Sequence, residues 1–217
     1  MEVSPKYEEQ YNVLAERYEV QGVVTPQTKL IFILESPHVA EVKNRVPVAG
    51  PSGATMSKKL FGEAYTKPLG LLLKKHMEEK MERPSLDVVG LLNVCNVPMQ
   101  KKPYAPADAD AANDLLDSFE TIRTSNHKPQ FKDDKLNDVQ QFILTKFQKR
   151  LVELTDREVT LVPCGKFAQK FFKLANVMSE KWTVVEDVPH PSYNSWSRER
   201  YQSSVNRVVE ELNRHKL

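Results

Sequence analysis

The chain of 217 residues contains only two cysteines, Cys95 and Cys164, and neither belongs to a CxxC pair. That scarcity argues against a disulfide framework and against a zinc or iron–sulfur site built from cysteines. Both thiols lie in apolar, strand-like stretches and read as buried. Long hydrophobic runs are missing as well, so no stretch reaches the ~20 residues that a membrane span needs. The first ten residues, MEVSPKYEEQ, lack the apolar core of a secretion signal. A cytoplasmic protein with no membrane partner is therefore expected. Neither sign of charge dominates: a formal net charge of +2 permits a nucleic-acid partner without demanding one. Glycine is also sparse, with no GxGxxG, no GKS/T after the GPSG at 50–53, and no GxSxG around Ser36. Dinucleotide, P-loop and serine-hydrolase readings accordingly gain no support.

What is present is a series of short apolar runs, at 30–34, 86–93, 159–162 and 182–185. They alternate with helical patterns at 7–18, 56–61, 69–81, 108–122, 136–154, 166–174 and 197–213. This alternation predicts a single α/β domain over residues 1–217. Its expected form is a three-layer α/β/α sandwich around a central, mostly parallel four-stranded sheet. Open sheets of this kind bind ligands outside the carboxyl ends of their strands. Polar residues recur at those ends: Glu35, Ser36 and His38 after the first run, Asn93 closing the second, and His190 and Ser192 after the fourth.

Each of these residues has a chemical reading and a plain one. Glu35 or Glu41 can orient or deprotonate water if shielded from solvent, and either can equally be a surface carboxylate. Gly50, Ser52 and Gly53 can offer backbone N–H groups to an anion at a helix start, or form an ordinary turn. His190 is held between prolines, where a neutral imidazole can donate to a carbonyl oxygen that gains charge; a structural histidine fits the spacing as well. The Asn93 amide carries the donor and acceptor needed to read a base edge, or it caps a turn. Tyr193, Trp196, Arg198 and Arg200 combine aromatic and basic groups suited to stacking and phosphate contacts, as do Lys101 and Lys102 beside Tyr104. Alternatively, Trp196 packs against the core and the neighbouring serines cap the last helix.

Taken in order, the segments LESPHVAE (34–41), RVPVAGPSG (45–53), LLNVCNVP (91–98), TLVPCGKFAQ (160–169) and HPSYNSWSRER (190–200) resemble the uracil-DNA glycosylase superfamily. The resemblance covers about residues 30–200 and is nearest to the family-4 type. It implies a base flipped from DNA into a cleft and hydrolysis of its N-glycosidic bond, with no metal and no cofactor. His190 would hydrogen-bond the base O2, Asn93 would read its O4/N3 edge, and Glu35 with Ser36 would line the water side. His38, Val48, Gly50, Ser52, Gly53 and Ser192 would shape the pocket. Tyr193, Trp196, Arg198 and Arg200 would approach the DNA and fill the emptied stack. A monomer acting on DNA is expected.

The chain departs from the family at defined places. The four cysteines of the family-4 [4Fe–4S] cluster are absent, Val48 replaces a stacking Phe, His38 follows the motif proline, and Ser36 stands where the classical family has an Asp. These differences keep two alternatives open: a base- or nucleic-acid-binding protein with little catalysis, and a hydrolase of a small nucleoside or nucleotide.

Overall fold

The computed structural model describes residues 5–79 and 83–215. Four strands, β1 (Leu30–Leu34), β2 (Val89–Asn93), β3 (Val159–Pro163) and β4 (Trp182–Val184), form one sheet in the order β2-β1-β3-β4, with every pairing parallel. β1, β2 and β3 are apolar almost throughout because each is covered on both faces. Side chains alternate between those faces. Ile31 and Ile33 join a core made with α1 (Pro5–Tyr18), α7 (Asn113–Thr124), α8 (Asp134–Val152) and α9 (Gly165–Ala175). Leu30, Phe32 and Leu34 join a second core made with α3 (Pro51–Phe61), α4 (Leu69–Glu79) and α10 (Gln202–His215). The α/β/α sandwich is thus present, and its sheet is wholly parallel. No helix among the described residues is long and apolar enough to cross a membrane.

Several local expectations are corrected. The run at 86–93 begins as α5 (Pro84–Asp87), because Pro84 sets the first helical turn and β2 starts only at Val89. The helix expected over 108–122 is two: α6 (Pro106–Ala111) ends at Ala112, whose backbone (φ −109°, ψ 20°) leaves helical geometry before α7. A six-residue helix, α2 (Val39–Asn44), lies between β1 and α3, where no helix is expected from the sequence. The last helix starts at Gln202, because two 3₁₀ turns, Ser192–Ser197 and Glu199–Tyr201, precede it. The expected end of the helix over 69–81 lies outside the described residues.

Candidate functional site

Parallel strands bring all their carboxyl ends to one edge, and there the chain opens a cleft of about 640 Å³. That size is in the range of small-molecule sites. β1 runs out into Glu35, Ser36 and His38, all on the cleft wall. Glu41, on the first turn of α2, then ties the following loop together. Its Oε2 accepts the His38 N–H at 2.6 Å, and its Oε1 accepts the Val48 N–H at 2.5 Å. The second bond holds Val48 at φ 50°, a strained conformation for a β-branched residue. The Val48 carbonyl meets α3 at Gly53, where a Cβ would lie 1.9 Å from the oxygen, so only glycine permits this approach. Gly50 caps α3 and Pro51 begins it, with Gly50, Pro51 and Ser52 on the cleft. Gly53 is buried beneath them.

The facing elements come from β3 and β4. After Cys164 the chain turns at Gly165 with φ 85°, and the Gly165 N–H bonds the Val188 carbonyl at 2.8 Å. A Cβ here would lie 2.7 Å from His190 Cβ and 3.2 Å from His190 N. Gly165→Ala should therefore push the histidine loop off its seat and cost roughly 2–3 kcal/mol from backbone strain and overpacking. Urea unfolding with the His190 ring NMR shifts checks this; wild-type stability with unmoved shifts would show that the loop tolerates the methyl. The loop is clamped further by Gln169, whose amide donates to Val188 O at 2.9 Å, and by Ser195, whose hydroxyl donates to His190 O.

Trp196 completes the clamp and so corrects an expectation. Its side chain is fully buried against Phe32, and its indole N–H donates to Pro189 O at 2.9 Å. It supports the histidine loop from the core and is not open to DNA. Tyr193 is the opposite case: it stands on the cleft rim 88% exposed, lifted by left-handed conformations at Tyr193 and Asn194.

The imidazole of His190 has a defined tautomer. Its Nδ1 accepts the Ser192 N–H at 3.2 Å and lies 2.9 Å from Ser192 Oγ. A backbone N–H can only donate, so Nδ1 is unprotonated and the ring carries its hydrogen on Nε2. Burial pushes the pKa of His190 down to about 4, which keeps it neutral near pH 7. Burial acts in the other sense on the carboxyls. Glu35 is pushed up to about 7, opposed by Arg123, whose Nη1 lies 3.8 Å from Glu35 Oε1. Glu41 is also pushed up to about 7 by burial, against the stabilising bonds from Val48 and His38.

A raised carboxyl pKa has a consequence for folding. Between pH 4.5 and about 7 the folded Glu35 keeps a proton that the unfolded chain has lost. Its contribution therefore favours folding at low pH and is lost as pH rises through about 7. Glu35→Gln should stabilise the protein by on the order of 2 kcal/mol at about pH 8 relative to wild type, and much less at about pH 5. Equal wild-type and variant pH profiles in urea unfolding would contradict a desolvated Glu35.

The expectation for Asn93 is corrected: it does not share the open cleft with His190. It pairs in register with Leu34 on β1, so its side chain lies on the same sheet face as Leu34 and Val48. It is wholly buried, is not on the open wall, and neither its amide oxygen nor its amide nitrogen has a hydrogen-bond partner. Ser36 Oγ and Arg123 Nε, on two cleft residues, are also buried without a partner. Buried polar groups are ordinarily satisfied, so such orphans call for an explanation.

The structure thus brings Glu35, Ser36, His38, Glu41, Val48, Gly50, Ser52, His190, Ser192 and Tyr193 to one cleft. The basic residues expected beside it are spent elsewhere or lie apart. Lys101 is paired with Asp117 at 2.5 Å, Arg198 donates to Tyr193 O, and Arg200 rests over the Tyr201 ring. Lys102 is exposed and is not on the cleft. Arg123, Gln100, Asn126 and Lys166 line the cleft without having been singled out from the sequence. The signal for Arg123 was its place beside Ile122 in the buried stripe of Leu115, Leu116 and Phe119.

The family-4 cluster does not fit this chain. Cys95 and Cys164 belong to cores on opposite sheet faces, and burial raises both thiols, Cys95 to about 12. Among the described residues no group of three or more His, Cys, Asp or Glu could hold a metal ion. No model of a known protein family matches the chain, and no curated protein matches it.

Proposed function

We propose that the protein is a DNA glycosylase that hydrolyses the N-glycosidic bond of uracil or a related deaminated base. One observation carries the reading: a single cleft holds a neutral imidazole with its hydrogen on Nε2 and a carboxyl group poised near neutrality. Cleavage of the C1′–N bond leaves the electron pair on the base, and the base carbonyl oxygen gains negative charge. The His190 Nε2–H would donate to that oxygen, a stabilisation that grows as the bond breaks. Water would add to C1′ and lose a proton to ionised Glu35, whose pKa suits a general base near pH 7. Ser36, a poor base, would only position that water.

Glu41 has a different part. Both its oxygens are engaged by backbone N–H groups, so it holds the loop that presents Val48 and the start of α3. Val48 would offer an aliphatic face to the base in place of an aromatic one. The amide of Asn93 lies orphaned behind the cleft wall, so that wall would have to shift and uncover it before the base edge could supply its partners. Exposed Tyr193 would fill the gap left in the stack.

The test is release of free base from single- and double-stranded oligonucleotides carrying uracil, hypoxanthine or xanthine. Release from at least one supports the reading. Tight binding to such DNA with no release from any of them would make the protein a base-binding relative without catalysis.

A further inference from the structure

We propose that Arg123 is a positioning residue for this reaction, acting through Glu35: its guanidinium keeps the Glu35 carboxylate charged and aimed at the attacking water. The inference rests on the glycosylase reading and adds to it a residue outside every motif that suggested that reading.

The geometry sets Arg123 apart from two other partly buried arginines, Arg150 and Arg157. Arg150 spends its donors on Asn93 O at 2.9 Å, Val94 O at 2.6 Å and the Asn96 amide oxygen. Arg157 spends its donors on Thr25 O and Thr28 O. Both serve as ties between backbone segments. Arg123 makes no such tie: its Nε is buried without a partner, and its ion pair is with Glu35 at 3.8 Å. That separation exceeds a hydrogen bond, so the guanidinium supplies charge and leaves donors free. Both side chains line the same cleft and are largely shielded from solvent, with relative exposures of 28% and 22%. Screening between them is accordingly weak.

The other charged and titratable groups on the cleft are few. Glu41 of α2 is a second carboxyl, and Glu35 opposes its ionisation. His190 is neutral, and His38, Lys166 of α9, Tyr193 and Cys164 complete the wall. Among them Arg123 is the cation that acts on Glu35 against the cost of burial. An opposite charge at this range lowers a carboxyl pKa by about 1–3 units.

The experiment has two readouts on Arg123→Gln and Arg123→Lys. In the free protein, carboxyl-carbon NMR titration of Glu35, assigned with Glu35→Gln, should show a rise of about one unit or more in Arg123→Gln. Arg123→Lys should restore most of it. In base-release assays the acid limb of the kcat profile should move up in the same direction, so that a one-unit shift lowers kcat near pH 7 about fivefold, while KM for the oligonucleotide changes little. An unmoved Glu35 titration overturns the proposal whatever the activity. A KM increase with an unmoved pH limb also overturns it, and makes Arg123 a DNA contact. If wild type releases no base, the glycosylase reading fails, and the NMR titration still decides whether Arg123 governs Glu35.

Discussion

His190→Ala is expected to lower the rate of base release by about 10²–10³-fold, the usual effect of removing one preorganised donor to a developing oxyanion. The loss should be nearly constant from about pH 5 to about pH 8, because a histidine with its pKa near 4 does not titrate there. His190 would act as a neutral donor and not as a proton-transferring acid. Ser192 fixes this state: its N–H occupies Nδ1, which leaves the hydrogen on Nε2. A loss confined to the acid side, or one tracking a titration near pH 6.5, would mean that the charged imidazole does the work.

Asn93→Leu should have two large effects of opposite sign. Leucine nearly matches the shape of asparagine and carries no polar atoms. The two unpartnered amide atoms of Asn93 impose a desolvation cost in the empty protein, and leucine removes it. The variant should therefore be more stable by about 1–3 kcal/mol in urea unfolding. Base release should fall by about 10²-fold or more, because the base edge then meets no donor or acceptor. A destabilised variant would show that the amide is already satisfied, and would remove the argument that a ligand completes it.

Much of the fold was readable because β1, β2 and β3 are covered on both faces and so are written as continuous apolar runs. The site was readable where a strand end delivers its residues directly, as with Glu35, Ser36 and the loop to His190. Trp196 was ambiguous because an aromatic beside arginines suits a DNA contact and a core position equally. Only its packing on Phe32 and its bond to Pro189 decide between them. Arg123 was hidden for another reason. It comes from a helix remote in sequence from the strand ends, and tertiary packing alone places it beside Glu35. The left-handed Val48 was equally hidden, since the Glu41 bond that holds it overrides the residue's own backbone preference.

A crystal structure of the His190→Ala variant with a uracil-containing oligonucleotide should show the uracil turned out of the helix into the cleft beside Glu35 and Val48, the cleft wall shifted, and the base edge within about 3 Å of the Asn93 amide. Uracil left stacked in the DNA, or bound in the cleft with the Asn93 amide still unbonded, would contradict this placement of the base.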